Sequence, residues 1–236
     1  MTNILALDTS TDACSVAVQL NGNIQHRFEL IPRQHNQRLF SMLREVLPDG
    51  ELAAAGIEVL AYNHGPGSFT GLRIAASAMQ GLAFSMGLAV VGVSTLACMA
   101  QGALRKGLVD ETSSVLVLLD ARINEVYWGL YGFEDGIATA LRPDAVSHPR
   151  AVTLQGLNQG SVLLGLGNGL CYLPELTSDV RSALVTCDDD CWPDSLDTLS
   201  LALPEYEQGR VLTAEQVQPV YLRNEISWKK VHEQGR

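Results

Sequence analysis

With 236 residues, 47% of them hydrophobic and 18% charged, the chain has enough apolar material for one large domain or two small lobes, which excludes global disorder. A net charge of −10 and a pI near 4.9 exclude a protein that grips nucleic acid through a broad basic face, because phosphate neutralisation supplies most non-specific affinity. Five cysteines in no paired spacing, no apolar run of about 18 residues and no basic leader predict a reduced, cytoplasmic protein with no membrane partner.

The first third carries the clearest pattern. Residues 3–9 read as a strand and 13–20 as a second, with Val16, Val18 and Leu20 alternating; Asn21-Gly22 is a hairpin turn into a third strand over 22–30. Pro32 ends the sheet. Residues 34–47 predict an amphipathic helix with Leu39, Met42, Leu43, Val46 and Leu47 on one face, stopped by Pro48. A buried strand over 57–62 leads to the Gly65-Pro66-Gly67 loop and a helix over about 70–86. A strand at 88–93 follows, and Ser94 opens a helix to about 104. The polar stretch 106–112 marks a lobe boundary. Beyond it the pattern restarts: a strand at 114–120, its hairpin partner at 125–133 and a third strand at 136–141. A helix near 149–157, a strand at 161–166, a glycine-rich turn at 165–169, a weak strand around Val185 and a helical stretch over 193–208 complete it.

The restart is a repeat in sequence as well as in pattern. Leu5 to Ser10 aligns without gaps on Val117 to Arg122, and the strands that follow keep the same offset. Gly65-Pro66-Gly67 has its counterpart in Gly167-Asn168-Gly169. Two copies of a βββαβα unit, each opening with an apolar strand that ends in Asp, resemble the α/β fold of actin, Hsp70 and the sugar kinases: two lobes made by duplication, with mixed sheets. The first lobe is 1–105, the second 106–216, and the segment 217–232 packs back on the first. That fold holds ATP between its lobes, embraced by one hairpin from each.

The first hairpin, Asp8-Thr9-Ser10, has the small hydroxyls and backbone N–H groups of a phosphate turn. Its counterpart, Asp120-Ala121-Arg122, has no glycine and no hydroxyl, and Ile123 and Glu125 would crowd a polyphosphate; only Arg122 is suited to an anion. The cleft therefore reads as degenerate. The loop Gly65-Pro66-Gly67-Ser68-Phe69 with Arg73 beyond it is the most distinctive segment, but it is neither a Walker A loop nor a nucleophile elbow. The helix after it is rich in small residues, Ala75 and Ala78 among them, which suits close packing inside the lobe or against another subunit. Histidines are isolated, and Cys187 and Cys191 enclose three aspartates without a second thiol pair, so a metal site is not predicted. The basic residues near the C-terminus, Arg223, Lys229, Lys230 and Arg236, leave open a solvated tail or a tRNA contact.

The runs Ile4 to Val18, Pro32 to Leu39, Ala61 to Ala75, Val91 to Leu96, Leu119 to Trp128 and Pro219 to Lys230 closely resemble the TsaB (YeaZ) family. The resemblance implies a non-catalytic paralogue of the metal-dependent transferase TsaD, taking part in threonylcarbamoylation of the adenosine next to the anticodon in tRNAs reading codons that start with A. It implies a TsaD-like transferase and a TsaE-like ATPase as partners, a homodimer when alone, and tRNA only through the complex. His35, Arg38, Phe40, the 65–69 loop, Arg73, Ala75 and Ala78 are then the expected interface. TsaD-like enzymes carry a His-x-x-x-His metal pair on the helix after 90–93; Thr95 and Met99 fall at those positions here. No cofactor is expected in the isolated chain, with ATP or ADP admitted only in the complex near Asp8, Thr9, Ser10, Asp120 and Arg122. A nucleotide-sensing module and a peptidase-like hydrolase using Ser68 or Asp8 are the alternatives.

Overall fold

The computed structural model describes residues 1–47, 55–157 and 160–223. β1 (Ile4–Asp8), β2 (Ala13–Leu20) and β3 (Asn23–Leu30) form an antiparallel meander. Asn21 (φ 50°) and Gly22 (φ 84°) both accept left-handed geometry, which gives the β2–β3 turn the twist a two-residue hairpin needs. After α1 (His35–Val46) the chain adds β4 (Val59–Gly65) parallel to β1. It crosses through α2 (Phe69–Met86) to add β5 (Ala89–Ser94) parallel to β4. The order is β3-β2-β1-β4-β5.

α3 (Thr95–Arg105) and the polar connection 106–113 lead into the second sheet. β6 (Ser114–Arg122), β7 (Glu125–Glu134) and β8 (Ile137–Ala140) repeat the meander, with Asp135 (φ 52°) and Gly136 (φ 76°) in the second hairpin turn. β9 (Ala145–Ser147) pairs with β7; β10 (Leu163–Leu166) adds parallel to β6. After α4 (Ser178–Ala183), β11 (Leu184–Asp188) adds parallel to β10. From β8 inwards the order is again third, second, first, fourth, fifth, so the duplication seen in sequence is a duplication of topology. α5 (Ser195–Glu207) follows.

Both faces of the first sheet are covered, which is why its central strand is apolar at successive positions instead of alternating. Leu5 and Leu7 of β1 face Leu39 and Met42 of α1 and Met79 of α2. Ile4 and Ala6 face the opposite way, into a layer shared by the two sheets. There Leu96, Met99 and Ala103 of α3 and Leu199, Leu201 and Ala202 of α5 meet Val115, Val117 and Leu119 of β6. α3, from the first copy, packs on β6, β7 and β8; α5, from the second, packs on β1, β2, β4 and β5.

The second copy departs from the sequence reading in three places. The helix expected near 149–157 is only a 3-10 turn, Pro149–Ala151; Gly156 at φ 101° lies outside helical geometry, and β9 takes the chain before it. Gly165, read as part of a turn, lies inside β10, where Cys187, Leu170 and Leu184 leave its Cβ position only 3.2 Å of clearance. α4 went unpredicted because six residues give too short a periodic pattern. Pro48, the expected stop of α1, lies outside the described residues.

The segment after α5 returns to the first lobe. Val217 is buried, Tyr62 Oη donates to Gln218 O (2.9 Å), Gln80 Nε2 donates to Val217 O (2.9 Å), and Val220 N donates to His64 O (2.8 Å). The rest of the stretch expected to pack back, from residue 224, lies outside the described residues.

Candidate functional site

The carboxyl ends of β1, β4 and β5 converge on the β1–β2 turn. The loop after β4 lies directly on that turn. Ser68 N donates to Ser10 O at 2.7 Å, and Thr9 Oγ1 donates to Gly71 O at 2.8 Å. This approach requires glycine: a Cβ on Gly67 would stand 2.2 Å from Ser10 O, and one on Gly71 1.9 Å from Thr9 O. Asp8, Thr9 and Ser10 are consequently all 0% exposed. The expected phosphate turn is thus covered in this structure: the Thr9 hydroxyl is taken by Gly71 O, Ser10 N by Asp8, and Ser10 Oγ is buried under the loop with no partner.

Asp8 is held there at a cost. Ser10 N donates to its Oδ1 at 3.1 Å, while Oδ2 is buried with no partner. Burial pushes its carboxyl up to about 6, against the opposing effect of its contacts with Ser10 and Asn63. The folded-state value lies above the unfolded one, so stability is lost as pH rises from the ordinary carboxylate range through about 6. Asp8→Asn keeps an acceptor for Ser10 N and has no charge to bury. It is expected to raise stability by about 2–3 kcal/mol near pH 7.5, with the gain gone by about pH 4. Urea melts at both pH values check this; a gain of equal size at both would refute the assignment.

The second turn is differently built. Arg122, Ile123 and Asn124 all have positive φ (66°, 57° and 56°), in a chain with no glycine there. Arg122 is reserved by Asp120: its N–H donates to Oδ1 (2.8 Å) and its Nη1 lies 3.0 Å from Oδ2. Tyr172 Oη also donates to Asp120 Oδ1, and Asn168 Oδ1 accepts from Asp120 N. Asp120 is therefore satisfied within its own lobe.

Behind the first turn runs a polar network that sequence reasoning missed. Thr198 Oγ1 donates to Asn63 Oδ1 (2.9 Å), and Ser15 and Ser195 share hydroxyl and backbone hydrogen bonds, which fixes α5 to the first sheet. Arg105, at the end of α3, forks onto Asp197 (2.7 and 2.9 Å) and reaches Asp194 at 3.2 Å. His26 Nε2 lies 2.8 Å from Asp194 Oδ1 without hydrogen-bond alignment. Burial raises Asp197. It also acts to raise Asp194, but the His26 ring, the Leu196 N–H and Arg105 outweigh it and hold that carboxyl low. The sequence signal was an aspartate at the N-cap of α5 and a second, Asp197, in its first turn.

The expected interface residues divide. His35 is buried, its Nε2 3.1 Å from Ala13 O, and Ala75 and Ala78 sit in the core between α2 and the sheet, so none of the three presents a surface. Gly65 and Pro66 are buried and Gly67 is half-buried under the turn contacts. Arg38 is bound to Glu29 and Glu45. Exposed are Phe40 (50%), Ser68, which caps α2, and Phe69 (56%); Arg73 lies on the Phe69 ring at 3.9 Å. Along the same α2 face follow Ser77, Gly81 and Phe84, the last 79% exposed. Its signal was legible: Phe84 stands off the stripe of Leu72, Ala75, Ala76, Met79 and Ala83.

Thr95 and Met99 are fully buried at the start of α3, and among the described residues no group of three His, Cys, Asp or Glu side chains is placed to hold a metal ion. No described helix is long and apolar enough to cross a membrane.

A doubled mixed sheet with the same five-strand order in both halves, and a glycine loop seated on the first hairpin, defines a two-lobed α/β protein of the actin and sugar-kinase architecture. The chain belongs to the TsaB (YeaZ) family. Residues 29–164 match the family model of TsaD, tRNA N6-adenosine threonylcarbamoyltransferase. The tRNA threonylcarbamoyladenosine biosynthesis protein TsaB of Escherichia coli (strain K12) is 40% identical over 230 residues, which cover 97% of each chain. The protein of that name from Haemophilus influenzae is 36% identical over 239 residues, covering 97% of this chain and 96% of its own. The solved structure of YeaZ from Pseudomonas aeruginosa superimposes with a TM-score of 0.86 at 38% identity, covering 94% of this chain and 100% of that one.

Proposed function

We propose that the chain is a non-catalytic subunit in tRNA threonylcarbamoyladenosine biosynthesis, a scaffold that binds a TsaD-like transferase and stabilises its active state. The observation that carries this reading is the outer face of α1 and α2. Phe40, Phe69 and Phe84 expose aromatic surface there, and Ser77 and Gly81 project no long side chain. A partner helix can approach closely along such a stripe, since interhelical distance follows the side chains at the contact. The same face serves a homodimer when the chain is alone. A TsaE-like ATPase joins the assembly, tRNA in the cytoplasm is met through the transferase, and ATP or ADP belongs only to the assembled complex. The modification falls on tRNAs reading codons that start with A.

The non-catalytic part rests on what stands at the family's working positions. Thr95 and Met99 occupy the places of a metal-binding histidine pair, and neither replaces imidazole at a hard or borderline metal. Asp8 is buried, and Ser68 is an exposed helix cap whose hydroxyl accepts from Gly71 N, which disfavours a hydrolase.

The test uses Gly81, whose Cβ position has no atom within 4 Å. Gly81→Arg is expected to leave the melting temperature unchanged or higher and to weaken association with a purified TsaD-like transferase by on the order of 100-fold, the scale of a hot-spot loss. Reconstituted tRNA modification should fall in step. Binding and modification at wild-type levels would remove α2 from the interface. Ala75→Arg tests nothing, because it would disrupt the core.

A further inference from the structure

We propose that residues 217–223 form a strap that couples the α2 docking face to the β6–β7 turn of the second lobe; this rests on the docking reading above for its biological meaning, but not for its geometry. The strap is anchored at three places. Its first part is fixed to the first lobe through Val217 O, Gln218 O and Val220 N. Gly65 makes the approach possible, because a Cβ there would stand 2.6 Å from Val220 O. Next, Tyr221 enters the exposed face itself: its ring centroid is 5.6 Å from that of Phe69, and Arg73 Nε donates to its Oη at 3.2 Å. Two residues on, Arg223 has crossed to the other lobe. Its Nη2 donates to Ala121 O at 3.2 Å and is ion-paired with Glu125, and the side chain is only 17% exposed.

Among the described residues the far anchor is the one place with three consecutive non-glycine residues at positive φ, Arg122 to Asn124. Such a turn persists only where its surroundings hold it. Arg223 supplies two of its outside contacts. Tyr221 is 42% exposed and its ring lies tilted against that of Phe69, so a partner covering Phe69 and Arg73 must also cover or move Tyr221. Fixing Tyr221 fixes Arg223 two residues away, and with it the turn; displacing it releases both. The strap thus reports occupation of the α2 face to the β6–β7 turn of the second lobe.

Hydrogen exchange read by mass spectrometry on the full chain tests this. Tyr221→Ala touches no residue of the turn, yet it is expected to speed exchange across 121–126 by roughly threefold or more, as Arg223→Ala does, while α1 and α2 keep wild-type protection. If Tyr221→Ala leaves 121–126 unchanged, the strap carries no coupling. In the second arm a purified TsaD-like transferase is added. Exchange at 121–126 should slow in the wild type and not in Arg223→Ala, although both bind; equal slowing in both would overturn the proposal. Failure of the wild type to bind would remove the docking reading and leave the first arm to decide the strap.

Discussion

Gly71→Ala is expected to destabilise the fold by about 3–5 kcal/mol, although alanine is the better helix former by about 1 kcal/mol. The added methyl group would stand 1.9 Å from Thr9 O and 3.1 Å from Thr9 C. Both are backbone atoms at the end of a fully buried strand, so neither can swing aside as a long side chain would. Relief requires parting α2 from the β1–β2 turn. That breaks the 2.8 Å hydrogen bond from Thr9 Oγ1 to Gly71 O and leaves a buried hydroxyl without a partner. In a chain of this length the loss corresponds to a fall in melting temperature of about 6–20 °C. Gly81→Ala is the control on the same helix. Its Cβ enters open space, so it should gain several tenths of a kcal/mol to about 1 kcal/mol from helix propensity alone. Thermal and urea melts of the two variants would separate packing from propensity. Similar effects for both would mean that loop and turn do not press together.

Arg105→Ala should cost about 3–5 kcal/mol for a different reason, because it leaves a buried carboxylate without its cation. Asp197 is 1% exposed, and Arg105 is the cation that its carboxylate meets. Burial already raises Asp197 with Arg105 present. Such a group is tolerated best when protonated: its ionisation costs stability above the folded-state value, and the cost disappears below the unfolded one. Removing Arg105 raises it further. The difference between wild type and Arg105→Ala should therefore shrink as pH is lowered through the carboxylate range. The double variant with Asp197→Asn should recover most of the loss near neutral pH. A loss that ignores both pH and the second substitution would point to the missing methylenes of Arg105 instead of its charge.

The first lobe was legible because its signals are local. Asn21-Gly22 dictates a hairpin by itself, and Leu39, Met42, Leu43 and Val46 define the buried side of α1 without knowledge of its partner. The duplication was legible for the same reason, since Asp8 and Asp120 end strands of like composition. The interface was only partly so. Small residues on α2 signal close approach without saying to what, and Ala75 and Ala78 approach their own sheet while Ser77 and Gly81, one step round the helix, remain exposed. The polar network was out of reach because its members are far apart along the chain: Ser15 meets Ser195 across 180 positions, and Arg105 meets Asp197 across 92. The closure of the first hairpin was hidden too, because Gly67 and Gly71 look alike for a loop that receives a ligand and for one that replaces it.

The exchange of α3 and α5 between the sheets has a consequence for how the halves came to depend on each other. Each copy of the unit ends in a helix that packs on the other copy's sheet, α3 touching β4 and β5 of its own as well. One copy alone would leave part of an apolar sheet face bare, and two separate copies would satisfy each other only as a symmetric pair with the same patch used twice. Such a pair dissolves on dilution. Joined through residues 106–113, the second half is always present at the high effective concentration a short tether provides. The tether makes the pairing independent of protein abundance, and it leaves each half free to lose a feature the other still supplies.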